Sequence, residues 1–221
     1  MDELLNADFA RRAVINSDAE PWQPSPSPGV ERRKLDRIGG EVARATSIVR
    51  YAPNSSFSSH RHDAGEEFLV LAGVFSDEHG DYPAGTYIRN QPGSVHAPRT
   101  GPGCIIFVKL RQMDAQDSVR VVRTQAWLSW EALDARGARR ALLHADPMSR
   151  ETVALEHVPP GYAGIPATCP RGEEILVLQG TLADEHGEYG EGSWIRNPAG
   201  FQRTLRSAGG ARYWVKRGHL P

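Results

Sequence analysis

Residues 66–90 read EEFLVLAGVFSDEHGDYPAGTYIRN, and residues 173–197 read EEILVLQGTLADEHGEYGEGSWIRN. The two stretches align at an offset of 107 residues without a gap, and 15 of the 25 positions are identical. That density of identity within one chain is an internal duplication, and a duplication fixes the architecture before any single element is read. The offset holds outward from this segment. Upstream, residues 49–57 fall on 156–164, and downstream Gly93 falls on Gly200. Each copy is a unit of roughly 100 residues, the size of a small independent domain. The repeat places a first domain at 1–112 and a second at 119–221, joined by a polar stretch from Gln112 to Asp117.

Inside each copy the pattern is that of short strands. Phe68, Leu69, Val70 and Leu71 run to Gly73, Tyr87 and Ile88 run to Asn90, and residues 105–110 form an apolar run interrupted by Lys109. Runs of this kind, separated by Gly, Pro, Asn and Asp about every ten residues, predict an all-β sandwich or barrel. The two DEHG tetrads, 77–80 and 184–187, predict hairpin turns closed by Gly80 and Gly187. Helix signals are few. Residues 2–12 read as a short amphipathic helix, and residues 130–136 as a second one with Ser129 as its N-cap. The prolines of PWQPSPSP (21–28) predict extended chain, because each fixes φ and removes a donor.

Composition narrows the partners. The 221 residues carry a net charge of −1, and the arginines are scattered, which gives no basic groove for nucleic acid and no polybasic membrane anchor. No apolar run approaches the ~20 residues needed to span a bilayer. The first residues lack the apolar core of a signal peptide. Two cysteines, Cys104 and Cys169, are too few for a disulfide framework. These features predict a cytoplasmic protein that acts on neither nucleic acid nor membranes, with a homo-oligomer compatible with all of them.

The chemistry concentrates in the first copy. His60 and His62 are two apart, so on a strand both imidazoles share a face. A tight turn through Asp63, Ala64 and Gly65 brings Glu66 round to the same point, and His96 follows a Pro92-Gly93 turn and arrives from another strand. Three imidazoles and one carboxylate suit one divalent transition metal: Zn or Fe first, with Mn and Ni also fitting this donor set.

These two motifs resemble the paired motifs of the cupin superfamily, in which HxH, a Glu and a distant His bind one metal inside a small barrel. The resemblance implies two tandem cupin barrels, each a double-stranded β-helix or jelly roll. Asn54 stands where that pattern has Gly, and Asn also tolerates the left-handed region. More narrowly, the run from His60 to His96 resembles the cupin domain of the ChrR anti-sigma factor. The pattern implies that the first glutamate of the pair, Glu66, is the ligand. The 107-residue offset carries His60 to Ala167, His62 to Cys169, and His96 to Arg203, and only Glu66 finds a counterpart, Glu173. The second barrel is therefore expected to be metal-free, with Arg203 and Glu173 forming an ion pair in its vacated centre.

The ChrR likeness implies a regulatory or sensory metal module. The stretch ahead of the first repeat is too short for the helical zinc domain that holds the sigma factor in ChrR, and no His-xxx-Cys-xx-Cys motif is present, so a sigma factor is not the expected partner. The alternative is a mononuclear Fe(II) dioxygenase acting on a small dicarbonyl or hydroxyketone bound in the first barrel. No nucleophile motif of a hydrolase is found. Phe68, Val70, Tyr87 and Phe107 are candidates for the first barrel's wall or its plain core.

Overall fold

The computed structural model describes residues 3–40 and 42–220. They form two compact units. One comprises Met1–Ala7 with Pro21–Trp127, the other Asp8–Glu20 with Leu128–Pro221. Both are built from antiparallel strands, as the sequence pattern predicts.

In the first unit the main sheet runs, in order of pairing, Glu3–Leu5, Val30–Gly39, Arg44–Tyr51, Cys104–Leu110, Glu66–Asp77, Tyr87–Asn90 and Val121–Arg123. In the second unit the order is Trp130–Ala132, Arg139–Ala145, Thr152–Ala163, Arg206–Arg217, Glu173–Gly180, Ser193–Asn197 and Ala13–Asn16. The last strand in each list belongs, by sequence, to the start of the other repeat. Val14 and Val121 are 107 residues apart and are equivalent, yet Val14 pairs with Ile195 and Val121 with Arg89. Repeat and compact unit therefore differ by one short strand. The polar linker is anchored in the first unit, where Asp117 accepts from Arg89 Nη2 at 2.5 Å and from its Nε at 3.0 Å.

The cores superpose position by position. Phe68, Val70, Phe75, Ile88, Ile106 and Val108 cluster in the first unit. Their 107-offset counterparts Ile175, Val177, Leu182, Ile195, Tyr213 and Val215 cluster in the second. Each such side chain contributes roughly 1.5–3 kcal/mol by leaving water, so the alternating strands carry their own stability without disulfides, and both cysteines are free and buried. Tyr87 and Phe107 pair with Leu69, whereas Phe68 and Val70 are one register step away. They therefore face the opposite side of the sheet and do not line the barrel interior with Phe68 and Val70.

Two glycines show why the duplicated scaffold kept them. Gly73 has φ 71° and Gly180 φ 75°. A Cβ on Gly73 would lie 2.0 Å from the Gly103 carbonyl oxygen, and one on Gly180 would lie 2.1 Å from that of Gly210. Both left-handed backbone and close approach exclude any side chain.

The helix expectations fail. Glu3–Leu5 is a strand, with Asp2 outside the described residues, and residues 130–136 begin as the strand Trp130–Ala132. In both cases pairing with a neighbouring strand overrides a weak local preference: Leu4 pairs with Ile38, and Glu131 with Arg140. Among the described residues the helical elements are single 3-10 turns, Ser17–Ala19 and Gln125–Trp127, and no helix is long and apolar enough to cross a membrane. The segment 21–28 is extended through Gln23–Pro24 and then turns, with Val30 N–H donating to the Ser27 carbonyl.

Candidate metal centre

The strand His60–His62 pairs antiparallel with Ser94–His96, and the register sets His96 opposite His60 and Ser94 opposite His62. Alternation then puts His60, His62 and His96 on one face. Their ring centroids form a nearly equilateral triangle with sides of 4.8, 4.9 and 5.0 Å. One nitrogen from each lies within 4.8 Å of the others, and His62 Nε2 and His96 Nε2 are 2.9 Å apart. His60 Nδ1 is 3.0 Å from the Ser58 carbonyl, which favours a proton there and leaves Nε2 with its lone pair.

Glu66 opens the next strand. Its Oε2 lies 3.6 Å from both His62 Nε2 and His96 Nε2. The neighbouring Glu67 points the other way, accepting from Tyr87 Oη at 2.7 Å and Arg89 Nη1 at 3.1 Å. The Gly-terminated turn after His62 is closed by Gly65 N–H donating to the His62 carbonyl. Asn54 has φ 57°, the left-handed conformation expected of the residue in this place, and its counterpart Gly161 has φ 74°.

Burial is graded across the cluster. His96 and Glu66 are buried, His62 is half-buried, and His60 is exposed. Burial lowers the pKa of His62; Glu66 opposes this, and the His96 and His60 rings add to it. A neutral imidazole is the form that ligates. His96 Nδ1 is buried without a hydrogen bond, 3.6 Å from Asp77 Oδ2. A carboxylate behind a ligating imidazole fixes its orientation.

Three supporting residues escaped the sequence reading. Asn90 Nδ2 donates to Glu66 Oε2 at 3.2 Å. Asp77 stands behind His96, and its Oδ1 accepts from His79 N–H at 2.8 Å and Tyr82 Oη at 3.0 Å. Glu78 accepts from Ala97 N–H at 2.9 Å and so holds the chain just after His96. The signal was present, since the DEHG tetrad and the Arg-Asn pair occur in both copies, but repetition in a copy lacking the three clustered histidines made them look purely architectural. His79 contributes its backbone; its side chain is exposed, 3.9 Å from Glu78.

Of the cluster, His60 lies in the wall of a cavity of about 550 Å³ in the first unit, beside Tyr51, Phe57 and Val108. Arg32 and Arg37 also line it, and none of its lining residues is acidic among those described.

In the second unit the same register recurs. Ala167–Cys169 pairs with Phe201–Arg203, and Ala167 lies opposite Arg203 as His60 lies opposite His96. Arg203 occupies the centre. Its Nη2 donates to Glu173 Oε2 at 2.7 Å, and its Nε donates to Glu173 Oε1. Arg217 Nε adds a bond to Glu173 Oε2 at 3.2 Å, and Asn197 Nδ2 one to Oε1 at 2.9 Å. Burial alone would raise the Glu173 pKa; the Arg203 guanidinium, then Arg217 and Asn197, overcome it and hold the carboxyl at about 2. Cys169 is buried, and burial pushes its thiol up to about 12. It is a packed thiol and not a reactive one.

The chain is similar in fold to several solved structures. A proposed dioxygenase from Nostoc punctiforme superposes with a TM-score of 0.80 at 16% identity, covering 96% of this chain and 84% of that one. A proposed glyoxylate-induced protein from Pseudomonas aeruginosa gives 0.76 at 16%, covering 98% and 90%. The bacterial pirin YhhW of Escherichia coli, in complex with nickel(II), gives 0.68 at 9%, covering 96% and 100%. No curated protein matches the sequence. The model of the ChrR cupin-like domain matches it twice, over residues 10–114 and 117–221, and together with two barrels in tandem this makes the chain a bicupin belonging to the ChrR cupin-like family.

Proposed function

We propose that the first barrel binds one divalent transition metal through His60, His62, His96 and Glu66, and that the metal's open side works on a small oxygen-bearing molecule. The observation that carries this reading is the cavity with His60 in its wall. A purely structural site is closed on all sides by protein, whereas a working site keeps an open position toward a space a ligand can enter. The donor set suits Fe or Zn, with Mn and Ni also compatible, and the nickel(II) complex of the structurally similar pirin supports a divalent ion in this kind of barrel.

The reaction class that fits is dioxygenation of a small dicarbonyl or hydroxyketone. When bound, Fe(II) would supply the redox chemistry and the chelation point for such a substrate. The chain supplies the rest. Arg32 and Arg37 bring guanidinium groups to the cavity wall, Arg37 shared with Glu3 at 3.4 Å, and favour a ligand that carries or develops negative charge, as an enolised dicarbonyl does. Tyr51 stays a neutral phenol, because burial and then Glu66 raise its pKa, and it lines the same cavity as a hydrogen-bond donor. Phe57 and Val108 keep the wall dry.

The test is oxygen uptake by Fe(II)-loaded protein given pentane-2,4-dione and small hydroxyketones. Uptake that needs both iron and His62 supports the oxygenase. Tight metal binding with no uptake favours the second reading, a metal-loaded regulatory module, for which membership of the ChrR cupin-like family is the specific support.

A further inference from the structure

The second barrel lacks counterparts of His60, His62 and His96 but keeps its interior. A cavity of about 470 Å³ remains there, lined by Arg203, Ala167, Leu133, Ile165, Leu205 and Tyr162 among others. That volume is within the range of small-molecule sites, roughly 300–1,000 Å³. We propose that this cavity is a metal-independent binding site for a small monocarboxylic acid with an apolar tail, held by Arg203.

The argument starts from the guanidinium. Arg203 stands at the position of His96 and is 6% exposed. Its Nε and Nη2 are committed to Glu173. Its Nη1 makes no hydrogen bond to any described residue. An arginine that spends one edge on a buried carboxylate and keeps a further amine facing a cavity offers a charge-assisted donor to an incoming acceptor. In the first barrel imidazoles are gathered around a point beside Glu66. Here a fixed cation sits beside Glu173 instead, so a ligand oxygen meets an N–H donor where the first barrel would present a metal.

Charge selects the sign of the ligand. Four arginines line the cavity, at 150, 171, 203 and 217, against the two acids Asp134 and Glu156. With the partners behind the wall counted too, Glu173 on Arg203 and Arg136 on Asp134, positive charge still exceeds negative. Arg217 is spent on Glu156, at 2.6 and 3.0 Å, and on Glu173, at 3.2 Å, and Asp134 accepts from Tyr162 Oη at 2.8 Å. The surplus favours an anionic ligand. Leu133, Ile165 and Leu205 supply the apolar wall for the tail, with Ile165 60% exposed and so at the mouth. Cys169 is held protonated, which makes this a reversible site and not a covalent one.

The experiment is isothermal titration of the full chain with benzoate, hexanoate and 4-methylpentanoate, each paired with its neutral amide. One acid per chain is expected to bind, about tenfold or more tighter than its amide. Binding should be unchanged in His62→Ala, which disables the first barrel's cluster. It should weaken about tenfold in Arg203→Lys, which keeps the cation beside Glu173 but removes the planar fork. Ala167→Trp, at an exposed strand position opposite Arg203, should block the cavity without disturbing the core. The proposal is overturned if none of the three acids binds by about 10 mM, if binding disappears in His62→Ala, or if it survives both second-barrel variants unchanged.

Discussion

The two barrels share a register, a core and a set of turns, and at the point where the histidines converge they differ at three side chains. His60, His62 and His96 in one are Ala167, Cys169 and Arg203 in the other. The glutamate and the asparagine that holds it are common to both: Asn90 to Glu66 at 3.2 Å, Asn197 to Glu173 at 2.9 Å. A buried carboxylate demands a cation. In the first barrel three imidazoles surround the carboxylate, and on the proposed reading an exchangeable ion would meet that demand; the second meets it with Arg203, backed by Arg217. The scaffold thus carries either solution, and the difference between the two centres rests on positions 60, 62 and 96 and their counterparts, together with Arg217 and Glu156, which stand where the first copy has Leu110 and Val49.

The largest expected effect is loss of the metal itself. His62→Ala should take metal content, measured per chain by elemental analysis, from about one toward zero, because a three-nitrogen, one-carboxylate site cannot close with a nitrogen missing. Arg203→Ala should leave it at about one. Equal metal in both variants would break the comparison outright. The converse is sharper: installing Ala167→His, Cys169→His and Arg203→His together should raise the content toward two per chain, since the strand register already aligns these positions. Chelation should empty the first barrel while the far-ultraviolet β signal persists, because its core cluster does not include the histidines.

Next in size is the salt bridge that replaces the ion. Glu173 is depressed from an ordinary 4.5 to about 2. A depressed carboxyl contributes stability that is fully present above its unfolded value and is lost as pH falls through the folded one. The contribution, about 3 kcal/mol, should therefore fade between roughly pH 4.5 and pH 2. Arg203→Ala should cost about 3 kcal/mol at neutral pH, since it strands a buried charge with only Arg217 as cation, and should flatten the acid limb of the stability profile. Glu173→Leu combined with Arg203→Met should recover most of the loss. Denaturant midpoints across pH read all three. Gly73→Ala and Gly180→Ala offer a control on sameness. Each should cost more than ~1 kcal/mol, by similar amounts, because each Cβ meets a carbonyl oxygen at the same distance.

Much of this was legible in the sequence because duplication supplies its own alignment. The histidines were legible from their spacing and their resemblance to the cupin motifs, and the 107-residue offset then named their replacements and predicted the Arg203–Glu173 pair. What it hid was whatever depends on pairing over distance. Glu3–Leu5 and Trp130–Ala132 read as helical because three-residue strands carry almost no periodicity, and only their partners, Val30–Gly39 and Arg139–Ala145, make them strands. The placement of Ala13–Asn16 beside Ser193–Asn197 was invisible for the same reason. Asn90, Asp77 and Glu78 were visible but misjudged, because residues retained in both copies look like scaffold, and here scaffold residues hold the site.

Asn90 provides the smallest and most discriminating effect. Its Nδ2 bond to Glu66 has a counterpart in Asn197 and Glu173, so the same substitution can be made in both barrels. If Glu66 is a ligand, removing the group that orients it should weaken metal binding by about tenfold, the lower end of what outer partners contribute. Asn197→Ala should leave metal affinity unchanged and cost about 1 kcal/mol of stability, the value of a single buried hydrogen bond. Arg203 and Arg217 still hold Glu173 there, whereas Glu66 has only imidazoles and the ion. A competition titration with a chromophoric chelator resolves a tenfold change. Equal affinities in Asn90→Ala and wild type would mean that Glu66 contributes through proximity and not coordination, and would reduce the centre to its three histidines.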